Sequence, residues 1–392
     1  MKEKLIVGYL TAQNPKDKRS WSGTHYNMYH SLLKEFDEVY LIGPINYNIA
    51  IKLVLLINTF IGYIFYFKKY DRSHSLLLSK FYASQIKKKI DNRKIDVIFA
   101  PVAATEIAYL KSSLPICYLS DSSFEQLANY YDRFSNIPSF SFKESNIIEK
   151  NALEKSVTHV YSSSWAAEYV INNYKVDKSS VFIVKFGANL DFIPQKANLN
   201  KQFNSTINFL FLGVDWERKG GEIVLETFRI LINKGYDITL TICGCIPPYS
   251  LANDDKIKIV PFLDKNKSEE YQVLLKILDN THLLFVPTRA DCTPIVFCEA
   301  NAFGIPVITT DTGGVSSLIE NGVNGYALPF SSTPDDYATA VQSLLGNRKK
   351  LRNLALRSRK KFENELNWDI WGKKMREILR KTKYSNSKSK IT

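Results

Sequence analysis

Cysteine is scarce in this chain, and no two cysteines have the Cys-x-x-Cys spacing of a redox or zinc site. The five cysteines are Cys117, Cys243, Cys245, Cys292 and Cys298. A set this sparse and odd in number excludes a readable disulfide framework or zinc cluster. The first residues also pass directly into an apolar run, without the pattern of a secretory signal. We therefore expect reduced thiols in a cytoplasmic protein.

Glycine and proline are limited to 17 and 14 of the 392 residues, which excludes a collagen-like or low-complexity chain. Apolar residues make up 45% of the sequence, too many for a disordered protein. The length is sufficient for two domains of ordinary size, each with its own hydrophobic core.

Acidic residues are outnumbered, and the excess positive charge lies in two regions. The formal net charge is +13. Residues 348–392 hold 16 Lys and Arg against 4 Asp and Glu, and residues 68–94 hold 9 against 2. Such regions attract phosphates on nucleic acid, anionic lipid or a substrate, or they are simply solvated helix faces. Nucleic acid is not an expected partner, because the basic C-terminal region has few aromatic residues and no recognition motif.

Two successive series of short, continuous apolar runs alternate with helical patterns. The first series is 5–10, 39–42, 96–100, 116–119, 159–161 and 181–184, and the second is 209–212, 238–242, 257–260, 283–286 and 306–309. Runs of this kind, separated by helices, are typical of buried parallel strands. The sequence therefore predicts an α/β fold with two doubly wound, Rossmann-like domains that face each other across a cleft.

The predicted domains are residues 1–192 and residues 206–365. The polar stretch 193–205, which contains Pro194, is the predicted linker. A further helix is predicted over 366–383, and residues 384–392 are expected to form a disordered basic tail.

Residues 49–67 form an unusually apolar run, interrupted only by Lys52, Asn58, Thr59 and Gly62. The length just admits a membrane span. A span would split the sheet of the first domain, so a helix buried or packed on its own domain is favoured. An interfacial helix stays open as an alternative, because the aromatic side chains of this run are followed directly by two lysines.

Two carboxylates bracket the predicted start of the helix that follows the strand 283–286. Asp291 lies in the loop and Glu299 in the second helical turn. Side chains of this kind accept hydrogen bonds from the hydroxyls of a sugar or a ribose. The simpler alternative is an ordinary crossover in which acidic residues suit the helix dipole.

The predicted start of this helix also presents backbone amides. Thr293 and Pro294 fit an N-cap and a first helical residue. The amides of Ile295 and Val296 in the first turn then favour an anion at the end of the helix.

A glycine-rich loop between a strand and the next helix holds Arg218 and Lys219, and Gly213 opens this loop. Two fixed cations can neutralise a diphosphate, although two solvated charges in a surface loop are the simpler alternative. Gly313 and Gly314 allow a second close approach of backbone to a ligand.

The loop after the first strand contains Gly23, Thr24 and His25. Its glycine allows the backbone to come close to a ligand at the carboxyl end of that strand.

Together these motifs resemble the retaining GT-B glycosyltransferases of family 4, and the resemblance covers nearly all of the chain. The Glu-x7-Glu pattern of that family is matched by Asp291 and Glu299, with Asp in place of the first Glu. Lys219 stands at the family's Lys position, whereas Val214 stands where Arg is usual, and Arg218 is the available substitute. The remaining matches are Ser22-Gly-Thr24, Gly313-Gly314 and Asn324-Gly325.

The chain departs from the family pattern at two positions. The histidine that is usual near the donor sugar is replaced by a strand end that offers Asp121. Pro294 stands where Gly is usual, which removes one amide from the helix start.

The resemblance implies transfer of a hexose from a nucleoside-diphosphate donor to a hydroxyl acceptor, with retained anomeric configuration. It implies a donor site in the second domain, an acceptor side in the first, and a C-terminal helix that crosses back to the first domain. The implied catalytic residues are Arg218, Lys219, Asp291 and Glu299. The implied donor-binding residues are Gly213, Thr293, Ile295, Val296, Glu299, Gly313 and Gly314. The implied residues on the acceptor and sugar side are Gly23, Thr24, His25 and Asp121.

No metal site and no cofactor are expected, because the nucleotide sugar is a substrate and the chain has no Asp-x-Asp motif. The expected acceptor is a glycan or a lipid-linked glycan precursor, and contact with an anionic membrane is a further expectation. Two alternatives stay open: a sugar-nucleotide epimerase or hydrolase with His25 or Asp121 as its base, and a non-catalytic protein that binds anionic surfaces.

Overall fold

The computed structural model describes residues 3–195, 203, 206–251 and 254–388. The chain forms two compact units. The first comprises the described residues up to Val184 together with those from Trp371 onward, and the second runs from Lys185 to Ile370. Of the predicted linker, residues 193–195 and 203 belong to the second unit, and residues 196–202 and 204–205 lie outside the described residues.

The first unit contains a parallel sheet of six strands in the order β2-β1-β3-β4-β5-β6. These strands are β1 (Glu3–Tyr9), β2 (Phe36–Leu41), β3 (Val97–Pro101), β4 (Ile116–Ser120), β5 (Thr158–Tyr161) and β6 (Val181–Ile183). Central strands such as β3 and β4 are buried along their whole length. They are continuously apolar because helices cover both faces of the sheet.

In the described residues of this unit, seven α-helices lie between the first strand and the last. They are α1 (Thr24–Glu35), α2 (Ile49–Tyr66), α3 (Leu76–Ile90), α4 (Ala104–Ile107), α5 (Phe124–Leu127), α6 (Ser139–Lys155) and α7 (Ser164–Asn172). One hydrophobic cluster joins Ile98 of β3 to Ile86 of α3 and Ile148 of α6. The core therefore lies between the sheet and the helices that cross over it.

Helix α2 is packed on its own domain, as one form of the expectation has it, but it is not a buried helix. Among the described residues it is the one helix long and apolar enough to cross a membrane, with a mean hydropathy of 1.9, yet only 11% of it is buried. Leu55 and Gly62 are its buried residues. The helix packs on its own domain along a narrow stripe, and most of its large apolar side chains are exposed.

The second unit contains another parallel sheet of six strands, in the order β12-β11-β10-β7-β8-β9. These strands are β7 (Ile207–Leu212), β8 (Ile238–Cys243), β9 (Ile257–Val260), β10 (Leu283–Val286), β11 (Val307–Thr310) and β12 (Gly325–Leu328). The first five match the predicted runs, and β12 is a short edge strand that the apolar pattern did not reveal. The two sheets confirm the predicted pair of doubly wound domains.

The helices of the second unit follow its strands. They are α8 (Gly221–Asn233), α9 (Ser268–Asn280), α10 (Ile295–Ala302), α11 (Pro334–Leu345) and α12 (Arg348–Asn364). Helix α8 buries Val224, Leu225 and Phe228 against the sheet, as its amphipathic pattern predicts.

The last helix, α13 (Trp368–Lys388), belongs to the first unit from Trp371 onward. Trp371 is fully buried, with its ring 5.9 Å from that of Phe99 in β3. Arg376 pairs with Glu35 at 2.9 Å. These contacts confirm that the C-terminal helix returns to the first domain. Residues 384–388, assigned from the sequence to a disordered tail, continue this helix, and residues 389–392 lie outside the described residues.

Candidate active site

Three loops of the second unit meet at the carboxyl edge of its sheet. The loops follow β7, β10 and β11, which are neighbours in the strand order. Because the carboxyl ends of parallel strands lie at one edge, the side chains of these loops converge there. The loop after β7 carries Arg218 and Lys219, and the loop after β10 carries Asp291.

Glycine lets the loop after β7 lie directly on the loop after β10. Gly220 has a left-handed φ of 78°, and a Cβ atom there would come within 2.2 Å of the carbonyl oxygen of Pro287. Any larger residue would therefore separate the two loops. The backbone amide of Arg289 also donates to the carbonyl of Arg218 at 2.7 Å.

Both cations of the β7 loop are directed at one carboxylate. The Lys219 ammonium forms a short ion pair with Oδ2 of Asp291, and Nη1 of Arg218 lies 3.9 Å from the same oxygen. Arg218 is held in place by Ala290, whose carbonyl accepts from Nη1 at 2.9 Å, and by Asp215. Lys219 and Asp291 are buried, at 8% and 5% exposed. With Asp215 included, the two cations face two carboxylates, and lysine and arginine side chains of this kind also form charge-assisted hydrogen bonds with phosphate oxygens.

The helix after this loop starts one residue later than predicted. Pro294 is the N-cap and α10 begins at Ile295. The Thr293 hydroxyl donates to the carbonyl of Cys292 at 2.7 Å, and Thr293 lies one residue before the N-cap. A proline at the N-cap has no side-chain acceptor for the first-turn amides, so those of Ile295 and Val296 remain at the end of the helix dipole.

Glu299 of α10 forms a second buried ion pair, which the sequence did not predict. Its partner is the Lys265 ammonium, which also donates to the carbonyl of Asn189 at 3.1 Å. Burial raises the pKa of Glu299, and the charge of Lys265 opposes that rise. Lys265 lies just beyond the carboxyl end of the predicted strand β9, and this position is the signal that could have identified it.

The paired glycines after β11 approach the same edge. Gly313 has a left-handed φ of 55°. The amide of Gly314 donates to the carbonyl of Asp291 at 3.1 Å, which fixes this loop beside the carboxylate. Gly213 leaves room for the Lys219 side chain in the loop after β7, because a Cβ atom at Gly213 would lie 2.9 Å from Cγ of Lys219.

The residues predicted for the acceptor side lie in the first unit. Trp21, Ser22 and Gly23 all have left-handed backbone, with φ of 47°, 55° and 90°. Two consecutive non-glycine residues in this region store strain, which often marks a functional loop. Thr24 and His25 then open α1. Asp121 lies in a separate loop, directly after β4.

His25 is buried and electrically neutral at physiological pH. Its Nδ1 lies 2.9 Å from the hydroxyl of Tyr9. Burial lowers the pKa of His25 to about 3. A histidine with so low a pKa is a weak proton acceptor, which disfavours it as the base of an epimerase or hydrolase.

A buried acidic cluster in the first unit was missed from the sequence. His74 pairs with Asp71 at 2.6 Å, and the charges of Glu106 and Glu149 act on the same imidazole. Burial raises the pKa of Glu149 to about 7, partly offset by His74. The hydroxyl of Tyr118 lies 3.5 Å from the Glu149 carboxylate. Apart from Asp71 and His74 these residues are widely spaced in the chain, so no local motif reveals the cluster.

A model of a known protein family matches the sequence of most of the second unit. The family model described as glycosyl transferases group 1 matches residues 193–361. The capsular polysaccharide biosynthesis glycosyltransferase CapM of Staphylococcus aureus is 20% identical over 253 residues, which are 61% of this chain and 65% of CapM. The matches to the first curated relatives span about half to two thirds of their length. These findings support a glycosyltransferase.

Solved structures resemble the chain over almost its whole length. Sucrose-phosphate synthase from Thermosynechococcus elongatus superimposes with a TM-score of 0.66 at 16% identity and covers 97% of this chain and 99% of its own. HepE of Anabaena, in complex with UDP and glucose, gives a TM-score of 0.61 at 13% identity, covering 96% and 100%. At these identities the likeness shows the fold, which is the GT-B fold.

Proposed function

We propose that this chain is a glycosyltransferase that moves a sugar from a nucleoside-diphosphate donor to a hydroxyl acceptor. The observation that carries the proposal is the group of Arg218, Lys219 and Asp291 beside the N-terminus of α10. This group lies within the residues matched by the family model. Two cations and a helix end at one place suit the diphosphate of a nucleotide sugar.

The difficult step of such a transfer is the build-up of negative charge on the departing diphosphate. Lys219, Arg218 and the amides of Ile295 and Val296 would stabilise that charge as the glycosidic bond to phosphate breaks. A preorganised donor of this kind contributes about 3–4 kcal/mol to the transition state. Lys219 exchanges Asp291 for a phosphate oxygen when the donor binds, which frees Asp291 to accept from the sugar.

Glu299 and Lys265 form the second part of the proposed donor site. The buried carboxylate of Glu299 would accept hydrogen bonds from the ribose hydroxyls, and Lys265 would keep it ionised within a site that disfavours its charge. A neighbour of the same fold was solved with UDP and glucose, which favours a nucleoside-diphosphate sugar as the donor.

We assign the reaction to the retaining class, as the family 4 resemblance implies, with a hexose as the transferred sugar. The acceptor proposed is a glycan or a lipid-linked glycan precursor in the cytoplasm. The likeness to a capsular polysaccharide glycosyltransferase favours this class of acceptor.

Transfer from a panel of radiolabelled nucleotide sugars to a bacterial lipid extract tests the proposal. We expect one donor to be consumed, and Lys219→Ala to lower turnover by a factor of about 100 or more, as for loss of a charge-stabilising donor. Lys234→Ala is the matched control, because Lys234 is exposed at the end of α8. Product NMR would give the anomeric configuration. Full activity of Lys219→Ala, or an inverted product, would contradict the assigned role or the retaining class.

A further inference from the structure

Helix α2 presents its largest apolar side chains to the outside of the first unit. Phe60, Tyr63 and Phe67 are 64%, 67% and 81% exposed. Other exposed side chains along the helix are Ile49, Leu53, Val54, Leu56, Ile57, Ile64, Phe65 and Tyr66. Soluble proteins rarely expose an apolar patch that covers most of a five-turn helix unless another surface covers it.

The inward stripe of α2 is narrow, with Leu55 and Gly62 as its buried residues and Thr59 partly buried beside them. The Thr59 hydroxyl accepts from Nε of Arg72 at 2.7 Å. Gly62 lies against Lys68, Pro138 and Tyr70, where a Cβ atom would come within 3.1 Å of the Lys68 carbonyl oxygen. A helix in water normally buries its apolar face. This helix buries only that narrow stripe, so most of its apolar side chains face away from the protein and are suited to a non-aqueous partner.

The strands and helix around α2 exclude a span. The helix connects β2 to α3, and the chain then enters β3, which lies in the same sheet as β2. Helix α3 is packed into the core through Leu78, Ile86 and Ile90. Both ends of α2 are therefore connected to elements of the same folded unit. A helix tied in this way can lie along a membrane surface but cannot cross the membrane.

The charged side chains that α2 and its flanking residues carry are positive. No Asp or Glu occurs between Glu38 and Asp71 in the chain, whereas Lys52, Lys68 and Lys69 are exposed. Lys68 also lines a cavity of about 550 Å³ beside the end of the helix, together with Lys143 of α6 and the rings of Phe134 and Phe142. Aromatic side chains next to lysines are suited to the boundary between lipid headgroups and acyl chains.

We propose that the exposed face of α2 inserts into the surface of a bilayer that contains anionic phospholipid, with Lys52, Lys68 and Lys69 at the level of the headgroups. Positive charge selects an anionic surface, and the aromatic and aliphatic face supplies apolar burial. The proposal that α2 binds a bilayer surface rests on the geometry of the first unit alone. Its consequence, that the acceptor is lipid-linked, rests on the proposed transferase function.

Vesicle co-sedimentation of the full chain tests this surface directly. The probes are phosphatidylcholine vesicles with and without 30% phosphatidylglycerol, on the order of the anionic content that attracts basic segments. We expect the wild-type protein to sediment with the anionic vesicles. Phe60→Glu/Tyr63→Glu should lower the partition coefficient at least ten-fold, because it places two charges in the apolar face. Lys68→Gln/Lys69→Gln should reduce binding to anionic vesicles and lessen its salt dependence.

The matched control for the first variant is Ile147→Glu/Leu356→Glu, which changes two half-exposed apolar residues on other helices by the same charge. The matched control for Lys68→Gln/Lys69→Gln is Lys349→Gln/Lys360→Gln, which removes two exposed lysines of α12. Both controls should bind as the wild type does, and thermal unfolding should show that all variants are folded. Binding of nucleotides, measured separately, reports on the proposed transferase.

Three outcomes would overturn the proposal. The first is that the wild-type protein fails to sediment with anionic vesicles. The second is that Phe60→Glu/Tyr63→Glu binds to them as tightly as the wild type does. In the third, sedimentation without lipid shows a dimer that Phe60→Glu/Tyr63→Glu dissociates, which would assign the face to a second copy of the chain.

Discussion

Lys265 and Glu299 form a largely buried ion pair in which each charge compensates the other. Their side chains are 18% and 2% exposed. Removing one partner of such a pair leaves an uncompensated charge, whereas removing both often costs little. We predict that Lys265→Met lowers the free energy of unfolding by about 3 kcal/mol. Adding Glu299→Gln to that variant should recover most of the loss in urea denaturation. Additive losses would contradict the coupling.

The buried carboxyl of Glu149 gives the first unit a definite pH dependence. Its pKa rises from 4.5 to about 7, first through burial, with His74, Tyr118 and Glu125 as the neighbouring titratable groups. Between pH 4.5 and 7 the folded carboxyl keeps a proton that the unfolded chain has released. The free energy of unfolding therefore falls as pH rises through this window, by up to about 1.4 kcal/mol per pH unit.

Glu149→Gln cannot titrate, so we predict that it loses less stability than the wild type does between pH 5 and pH 7. Calorimetric unfolding at several pH values measures the difference. His74, whose pKa is lowered by burial but raised overall by Asp71, contributes in the same direction and remains in the variant. Parallel pH profiles for variant and wild type would show that Glu149 keeps its ordinary pKa.

At the residue scale, the sequence identified the side chains that stand in local motifs. Arg218, Lys219 and Asp291 occur next to glycine loops and helix starts, and the structure brings them together. Lys265 was missed because it stands in a polar segment with no motif of its own. The cluster around His74 was missed for a different reason: Asp71 lies in the same segment as His74, but Glu106 and Glu149 come from two other segments, and only the folded chain brings their charges near the imidazole.

Helix α13 ties the C-terminal segment into the core of the first unit. Trp371 is fully buried against Phe99, and Met375 and Leu379 are also fully buried. Truncating a buried Trp to Ala costs about 3–5 kcal/mol through lost burial and the cavity that remains. We predict this loss for Trp371→Ala in the calorimetric transition of the first unit.

Tyr384→Ala is the control for that substitution, since Tyr384 lies on the same helix and is 58% exposed. It should change the free energy of unfolding by less than about 0.5 kcal/mol. Equal effects of the two substitutions would contradict the docking of α13.

At the element scale, continuous apolar runs predicted eleven of the described strands and their alternation with helices. The missed strand β12 has the sequence Gly-Tyr-Ala-Leu, which is short, begins with glycine and is only partly buried. The start of α10 was placed one residue early because Thr293-Pro294 fits a common capping pattern. The backbone instead holds Pro294 in an extended conformation, with ψ of 94°.

At the scale of the whole chain, composition and periodicity predicted two Rossmann-like domains, and the structure has them. Composition could not predict which way α2 faces. The length and composition of an apolar helix of 18 residues are compatible with a core, a span or a surface. Only the packing of the folded helix, which buries Leu55 and Gly62 and exposes most of its other apolar residues, distinguishes them.

The central claim is that the second unit binds a nucleoside-diphosphate sugar, and thermal unfolding against a panel of nucleotides and nucleotide sugars tests it most directly. A ligand at about 100 times its dissociation constant adds about 2.7 kcal/mol to the free energy of unfolding. We predict such a stabilisation with one nucleoside diphosphate and its sugar conjugate, and its loss in Glu299→Ala. If no nucleotide raises the unfolding temperature, or if Glu299→Ala responds as the wild type does, the proposed donor site is contradicted.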